Sequence, residues 1–256
     1  MTDRERRPAD VEFLEARRVR LVESVAPYVS PEQRRARDRE WDAAVAANPA
    51  LFDGPVAACA GAAWDGPGSL VLSWARVTYR HYALRRVPGA RALPSLFVNV
   101  VQPADDGRVM VVRMSASTAA AGRWQLPGGS VEPPEAGEAL DASDLRRNAA
   151  RELGEETGLD AGPEELRMWV VTRGENGGVG VVHLASPRPE SELRERFEAV
   201  VAAEREQGRE AELDRIAFVR SAAEAAELPG THADYLGPLV RRAAVRIVHR
   251  GPGRGM

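Results

Sequence analysis

Apolar residues recur at helical spacing in the first part of the chain. Between residues 9 and 28 they alternate with charged residues, and a second charged segment runs from residue 31 to residue 47. Spacings of three and four residues between apolar positions are typical of an amphipathic helix. The pattern therefore predicts two helices, at 9–28 and 31–47, as an amphipathic N-terminal appendage.

The next segment has the pattern of β-strands. Residues 55–64 and 69–79 are rich in apolar residues and flank the sequence Asp-Gly-Pro-Gly at 65–68. Short apolar runs bounded by glycine and proline favour strands joined by a turn. We therefore assign residues 1–92 to an N-terminal extension of two helices and a strand pair.

The main domain is predicted to begin near residue 93. Strand-like runs at 96–101 and 109–113 flank the sequence Asp-Asp-Gly at 105–107, which is a strong hairpin signal. A short strand at 124–126 then leads directly into the sequence Pro-Gly-Gly. This turn is the first feature that the candidate chemistry below depends on.

Helices and strands alternate through the rest of the chain. A helix is predicted from about residue 144 to 157, with Ser143 as its N-cap and Gly158 as its C-terminal stop. The other predicted elements are strands at 166–172, 180–185 and 216–219 and helices at 190–207 and 233–248. Because this spacing is not that of a doubly wound parallel sheet, we predict a mixed α/β sandwich over residues 93–250, with a frayed tail at 251–256.

Composition narrows the class of protein. Hydrophobic residues make up 44% and charged residues 29% of the chain, as in folded globular proteins. The net charge of -3 gives no reason to expect a specific nucleic-acid partner. The single cysteine, Cys59, allows no intrachain disulfide and is expected to be a small buried residue, with a catalytic thiol as the alternative. Since no signal peptide or membrane-spanning stretch is recognisable, we expect a cytoplasmic protein without a membrane partner.

Three glutamates share one turn of the helix predicted at 144–157. Glu152, Glu155 and Glu156 stand at i, i+3 and i+4, so their carboxylates are expected to project from one face and to repel one another. A divalent cation would offset this repulsion, and carboxylate oxygens suit Mg²⁺ or Mn²⁺. Arg151 can bond Glu155 one turn on. A solvated helix face is the alternative, and the glycine turn upstream favours a metal site.

Residues 151–159, with the sequence R-E-L-G-E-E-T-G-L, resemble the second half of the Nudix box, which is written G-x5-E-x7-R-E-U-x-E-E-x-G-U with U for an aliphatic residue. The first half departs from the box, because Gly129 precedes Arg151 by 22 residues, about eight more than the box has. Two consecutive prolines favour extended backbone, so we place the extra residues in a loop before the helix. Glu138 aligns with the first glutamate of the box, and Glu132 and Glu135 are rivals for that position.

This resemblance covers roughly residues 93–248 and implies a fold and a reaction. The fold would be the Nudix-type α/β/α sandwich with a mixed sheet. The reaction would be attack of water at phosphorus in a nucleoside diphosphate linked to another group, with Mg²⁺ or Mn²⁺ neutralising charge and lowering the pKa of the attacking water. By carry-over, Glu152 and Glu156 would be the main metal ligands, Glu155 a further ligand or the base that orients the water, and the carbonyl of Gly129 would complete the shell. These glutamates and Arg151, which would hold a carboxylate in place, would be the catalytic residues.

Residues outside the box are further candidates for the same site. Members of the family often draw one more carboxylate from a later loop. The candidates here are Glu175, Glu210 and Glu212. For each of them, the alternative is an exposed loop residue without a role in the site. Arg123, Trp124 and Arg173 are predicted to contact phosphates or to stack on a base, although an aromatic residue beside a strand is more often part of the core. The four histidines lack metal-ligand spacing and are assigned no catalytic role.

The extension is weakly similar to the N-terminal module of Nudix enzymes that cleave nucleoside diphosphate sugars. The similarity rests on residues 48–55 and on the sequence Thr-Tyr-Arg-His-Tyr at 78–82, but the glycine-threonine pair that usually follows is missing. Packing explains Tyr79 and Tyr82 at least as well as substrate contact does. The expected substrate is a nucleoside diphosphate derivative, with a nucleotide sugar as one candidate.

Two alternatives to an enzyme follow from the same residues. The longer loop could displace the metal site and leave a Nudix-fold nucleotide-binding or regulatory protein, or the charged N-terminal helices could recruit a protein partner. All the carboxylates of the second half of the box are present, which favours a diphosphate hydrolase acting on a small nucleotide. The sequence does not decide whether the chain forms a homodimer.

Overall fold

The computed structural model of the chain describes residues 11–174 and 176–248, with side chains through residue 245. The N-terminal part contains β1 (Glu12–Leu14), β2 (Arg18–Glu23), α1 (Pro31–Ala47), β3 (Pro55–Trp64) and β4 (Ser69–Thr78), followed by a 3₁₀ segment at Tyr79–Arg86. β3 pairs antiparallel with β4, and β2 runs parallel to β4 on its other side. The second predicted helix and the predicted strand pair are therefore confirmed, and the pair gains a third strand.

The first predicted helix, at 9–28, is wrong over the residues that the structure describes. Residues 18–23 form β2, and residues 12–14 form β1, which joins the sheet of the main domain. The sequence Arg-Val-Arg-Leu at 18–21 alternates strictly between polar and apolar residues, which is the period of a strand. That period places Val19 and Leu21 together against the core.

The main domain contains the remaining strands and helices of the described chain. The strands are β5 (Leu96–Val101), β6 (Val109–Met114), β7 (Trp124–Gln125), β8 (Arg167–Arg173), β9 (Val179–Leu184) and β10 (Leu213–Val219). The helices are α2 (Ala142–Thr157), α3 (Glu190–Glu206), α4 (Ala222–Glu227) and α5 (Leu236–Val248), with a 3₁₀ turn at Pro163–Glu165. Two sheets result, with the strand orders β1-β8-β9-β5 and β10-β6-β7. The short helix α4 was not predicted.

Helices cover both faces of the first of these sheets. On β9, Val181 packs in the core that includes Leu153 of α2, whereas Val182 packs in the core that includes Leu239 of α5. Successive residues of a strand point to opposite faces, so α2 and α5 lie on opposite sides of the sheet. The sheet is mixed, because β5 runs parallel to β9 while β8 runs antiparallel to it. These features confirm the predicted α/β/α sandwich. No helix within the described residues is long and apolar enough to cross a membrane.

The predicted turn at 105–107 is present, but β5 and β6 do not pair with each other as the expected hairpin would. Pro103 and Val109 form an isolated antiparallel bridge next to the turn. Beyond it, β6 pairs with β10 and β7, while β5 pairs with β9. On its other edge, β5 donates backbone hydrogen bonds to the carbonyls of Pro127 and Gly129, at 2.9 and 3.0 Å. The separation of the two strands therefore lets the glycine turn pair with β5.

Capping residues fix both ends of α2. The N-cap is Asp141, whose carboxylate accepts hydrogen bonds from the amides of Ser143 and Asp144 at 2.7 and 3.0 Å. Ser143 is therefore wrong as the predicted cap and lies inside the first turn, because an aspartate two residues earlier already bonds the free amides. Gly158 ends the helix as predicted, with a φ of 71°. The extra residues of the box lie before Asp141, so the helix is uninterrupted.

The extension and the main domain are joined through the segment that follows the glycine turn. The amide of Ala57 on β3 donates to the carbonyl of Val131 at 2.8 Å, and the amide of Val131 donates to the carbonyl of Leu96 on β5 at 3.0 Å. Residue 131 thus lies between a strand of each part. Cys59, on the same strand as Ala57, is buried, as expected for a small apolar side chain.

Candidate active site

Helix α2 directs two of its three box glutamates at the glycine turn. Glu156 is 5% exposed, and its carboxylate accepts a hydrogen bond from the amide of Gly128 at 2.7 Å. The side chain of Glu152 is 14% exposed and lies against Gly129. Glu155 differs, because its side chain is 60% exposed. The structure therefore brings Glu152 and Glu156 to the turn and leaves Glu155 at the outer edge.

Other atoms approach both glycines of the turn closely. Gly128 has a φ of +143°, and a Cβ atom there would overlap the carbonyl oxygen of Val98. A Cβ atom on Gly129 would lie 2.5 Å from a carboxylate oxygen of Glu152. Only glycine accepts the conformation at 128 readily, whereas a side chain at 129 would displace the carboxylate of Glu152. The turn thus lets the backbone approach the two carboxylates directly.

Arg151 collects three carboxylates around the outer edge of the site. Its guanidinium donates to Glu155 at 2.7 Å, to Glu152 at 2.8 Å and to Glu132 at 3.0 Å. The bond to Glu155 is the one that the sequence predicts. Of the three candidates for the first glutamate of the box, Glu132 is the one that meets α2, whereas Glu138 is exposed on the loop. Arg151 therefore holds the inserted loop and the helix together.

Glu152 and Glu156 are buried without enough positive charge beside them to offset the cost of ionisation. Burial raises the pKa of Glu152 to about 7 from its ordinary value of 4.5, although the charge of Arg151 opposes the rise. Burial also raises the pKa of Glu156 well above its ordinary value, and the charge of Glu212 adds to this rise. The Gly128 amide opposes it but does not offset it. An additional positive charge at this position would therefore be stabilising.

Glu212 brings a further carboxylate from outside the box. It immediately precedes β10, and its carbonyl accepts a hydrogen bond from the amide of Ser115 at 2.8 Å, next to the end of β6. Burial raises the pKa of Glu212, with the charge of Glu155 as the second cause. Glu212 is exposed to solvent, but that solvent lies within a cavity. The protein atoms around the cavity are the burial that raises its pKa. Of the candidates in later loops, Glu212 and Glu210 reach this cavity, and Glu175 lies outside the described residues.

The donor set fits a hard divalent cation, although it is not a closed cage. Over the described residues, no three histidine, cysteine, aspartate or glutamate side chains are grouped as a ready metal cluster. Arg151 and the Gly128 amide instead hold Glu152 and Glu156 in place. The carbonyl of Gly129 accepts from the Val98 amide, whereas no backbone amide of the described chain donates to the carbonyl of Gly128. Carboxylates with uncompensated charge and a free carbonyl are ligands that Mg²⁺ and Mn²⁺ accept.

A cavity of about 800 Å³ opens beside the glycine turn. Gly128, Gly129 and Glu212 line one part of it, and residues 50–52 with Tyr82 of the extension line another. This volume lies in the upper part of the range of roughly 300–1,000 Å³ that is typical of small-molecule sites. The cavity therefore has room for a molecule that extends well beyond the carboxylates.

The three predicted substrate-binding residues have different positions. Arg123 lines the cavity and donates to Gln125 at 2.9 Å. Trp124 is 1% exposed, and its indole N–H donates to the carbonyl of Pro229, so the side chain belongs to the core. Arg173 forms an ion pair with Glu12 at 3.2 Å and does not line the cavity. The structure thus brings only Arg123 to the other site residues.

Several cavity residues were not assigned to the site from the sequence. They are Phe52, Arg85, Asn99, His232 and Tyr235. Asn99 has a signal that could have found it, because it is a polar residue within the apolar run of β5 and is 1% exposed. Phe52 lies in the segment 48–55 that carries the weak similarity of the extension, but neither its side chain nor that of Arg85 has a signal of its own.

Comparison with known proteins identifies the family. A family model of the NUDIX domain matches residues 95–242, which is more than half of the chain. No curated protein matches the chain at a significant level. Among solved structures, the chain is similar to NrtR from Shewanella oneidensis, with 20% identity, coverage of 61% of this chain and 64% of that chain, and a TM-score of 0.40. NrtR has also been solved in complex with a 27mer DNA. The chain thus spans less than two thirds of the NrtR chain.

Two further solved structures are similar over nearly their whole length. One is a NUDIX hydrolase from Nitrosomonas europaea, with 22% identity, coverage of 62% of this chain and 90% of that chain, and a TM-score of 0.34. The other is the MutT protein from Methanosarcina mazei Go1, with 20% identity, coverage of 62% and 96%, and a TM-score of 0.38. The family match over residues 95–242 contains the glycine turn, α2 and Glu212. The chain therefore belongs to the Nudix family, as the resemblance of residues 151–159 to the Nudix box predicted.

Proposed function

We propose that the chain hydrolyses a diphosphate linkage in a nucleoside diphosphate derivative, such as a nucleotide sugar, with Mg²⁺ or Mn²⁺ as its cation. The observation that carries this proposal is the convergence of Glu152 and Glu156 on the Gly128–Gly129 turn. Both side chains are largely buried, and Arg151 is the one cation that bonds either of them within the described residues. A diphosphate needs a positive centre beside it, and these carboxylates would hold one.

The cation would be held by Glu152, Glu156 and Glu212, with a carbonyl of the glycine turn. When bound, it would neutralise charge on the diphosphate and lower the pKa of the attacking water. The charge of Glu155 raises the pKa of Glu212, so Glu155 lies close enough to act on the proposed cation site. We therefore retain Glu155 as a further ligand or as the base that orients the water. Arg151 would orient Glu152 and Glu155 through its two short hydrogen bonds.

Arg123 is the residue that we propose to hold a phosphate. Its guanidinium lines the cavity, and the Nε–H group is buried without a protein acceptor. One terminal nitrogen already bonds Gln125, which fixes the plane of the group. A guanidinium with a free donor in a fixed orientation suits a phosphate oxygen. Trp124 and Arg173 are left out of the proposed site because their side chains do not reach the cavity.

A substrate screen tests the proposal. The chain is incubated with nucleotide sugars, ADP-ribose, dinucleoside polyphosphates, NADH, coenzyme A and nucleoside triphosphates, each with Mg²⁺, with Mn²⁺ and with EDTA. Release of monophosphate products with a cation and not with EDTA is expected for at least one diphosphate derivative. If compounds bind but none is cleaved with either cation, the chain is a nucleotide-binding protein on a Nudix fold and the proposed hydrolysis is wrong.

A further inference from the structure

Within the residues that the structure describes, four buried polar atoms that have no hydrogen-bond partner belong to side chains that line the cavity. They are the Tyr82 hydroxyl, Asn99 Nδ2, Arg123 Nε and His232 Nε2. Asn99 is 1% exposed. Buried polar groups are nearly always satisfied in folded proteins, so these atoms are available to water or to a ligand that enters the cavity. Most of these atoms are hydrogen-bond donors, which favours a ligand rich in acceptors.

The extension supplies an aromatic wall to this cavity. Tyr79 and Tyr82 pack edge to face with ring centroids 5.5 Å apart, and the guanidinium of Arg85 lies 4.7 Å from the centroid of Tyr82. All three side chains line the cavity. These are flat surfaces with polar groups at their edges. They face the space that Gly128 and Gly129 line from the main domain.

Phe52 stands at the rim of the same wall with an exposed ring on a fixed loop. The side chain is 80% exposed, and its ring lies against Gly54 of the same loop. The loop is anchored on both sides. Asn48 donates to the carbonyl of Ser117 at 2.8 Å, and Asp53 accepts from the Arg80 amide and guanidinium at 2.8 and 2.9 Å. The ring is therefore held at the entrance without being packed into the core.

We propose that this wall, formed by Phe52, Tyr79, Tyr82 and Arg85, binds the nucleobase of the substrate and makes the extension the specificity element of the site. The inference rests on the proposed function, because Arg123 and the glycine turn are taken to hold the phosphates. A nucleobase is flat, aromatic and edged with acceptors, so it matches both the stacking surfaces and the free donors. A bare diphosphate would use neither the ring faces nor their apolar surface.

The experiment measures binding without hydrolysis. Affinities for AMP, GMP, UMP and CMP, and for ribose 5-phosphate as the probe without a base, are measured by titration calorimetry on the full chain in EDTA. The variants are Phe52→Ala, which removes the rim ring, and Tyr82→Phe, which removes only the free hydroxyl. Tyr28→Ala is the matched control, because Tyr28 is an 81% exposed aromatic residue of the extension that does not line the cavity.

At least one nucleotide is expected to bind about tenfold or more tightly than ribose 5-phosphate. Phe52→Ala and Tyr82→Phe are each expected to weaken that nucleotide by about tenfold and to leave ribose 5-phosphate unchanged. Neither change should lower Tm, since one ring is exposed and the hydroxyl has no protein partner. Tyr28→Ala should match the wild type in every measurement.

Equal affinity for the nucleotides and for ribose 5-phosphate would overturn the inference, and so would wild-type nucleotide affinity in both variants. A failure of the proposed hydrolysis is distinguishable, because it would leave the base-dependent binding in EDTA intact. Conversely, hydrolysis that is unaffected by Phe52→Ala and Tyr82→Phe would preserve the proposed function and contradict the assignment of the wall. A lower Tm for both variants together with unchanged affinity would indicate a packing role only.

Discussion

The two walls of the cavity differ in chemistry and in the way the chain builds them. The wall from the main domain contains the glycine turn and Glu212, and Glu152 and Glu156 of α2 contact that turn, so this side is acidic. The wall from the extension is aromatic, with Phe52 in the loop before β3 and Tyr82 in the 3₁₀ segment after β4. The acidic wall can gather a cation, whereas the aromatic wall can select the rest of the molecule.

This difference separates two kinds of variants. A change in the acidic wall should alter turnover, because under the proposed function its carboxylates hold the cation that neutralises charge. A change in the aromatic wall should alter affinity, because stacking on a base is the same before and after the chemical step. The predictions below test that separation, in decreasing order of the expected effect.

The largest effect is expected for Glu156→Gln. It should lower kcat by at least about a hundredfold on whichever substrate the screen identifies, because it removes a buried charge that would hold the cation. AMP affinity in EDTA should not fall, since a negative charge near the phosphate is lost. Steady-state kinetics and calorimetry measure the two quantities. Glu198→Gln, an exposed glutamate on α3, is the control. Retained turnover in Glu156→Gln would contradict the ligand assignment.

Glu212→Gln should have the next largest effect, a fall in kcat of roughly tenfold. Glu212 contributes a carboxylate from outside the box, and its charge raises the pKa of Glu152 and of Glu156. Glu210→Gln is the matched control, because this exposed neighbour also lines the cavity but does not raise the pKa of either box glutamate. Kinetics on both variants decide between the two loop candidates. A larger loss in Glu210→Gln would reverse the assignment.

The acidic wall should also make stability depend on pH when no cation is present. The pKa of Glu152 is raised to about 7 from 4.5, so the folded chain keeps a proton that the unfolded chain releases between these values. Stability from this group is therefore present at low pH and falls as pH rises from about 4.5 to about 7. In EDTA, Tm of the wild type relative to Glu152→Gln should drop by on the order of 5 °C between pH 5 and pH 8.

Calorimetry in matched buffers measures this difference, and Mn²⁺ provides a second test of it. The cation should raise Tm of the wild type more at pH 8 than at pH 5.5, because it binds the deprotonated carboxylate. A constant Tm difference between the wild type and Glu152→Gln across this range would show that the carboxylate is not buried in the way described.

The smallest effect is expected for Arg76→Gln, which loosens the contact between the extension and the inserted loop of the main domain. Arg76 on β4 donates to the carbonyl of Pro134 at 2.6 Å, in the loop inserted between the glycine turn and α2. Losing this exposed bond should lower Tm by about 2 °C and change kcat/KM by less than about threefold. Arg18→Gln, an exposed arginine on β2, is the control. A large fall in kcat would mean that the extension positions the catalytic loop.

The elements that the sequence predicted well are those with local signals. The helix at 31–47, the strand pair and the box helix follow from periodicity and from turn residues, and the structure has them nearly as predicted. The helix at 9–28 failed because its apolar residues fit two periods, and pairing with β4 selected the strand over 18–23. The N-cap of α2 failed because two acceptors, Asp141 and Ser143, stood close together.

The sequence by itself determined that three glutamates share a helical turn downstream of a Pro-Gly-Gly turn, because spacing along a helix is a local property of the chain. Only the tertiary structure decided that Glu156 is buried at the turn while its neighbour Glu155 is exposed, and that Glu212 joins them. It also brought Phe52 and Tyr82 to the cavity that Asn99 and Arg123 line. Such contacts depend on how sheets and loops pack across long separations in sequence, which no periodicity encodes.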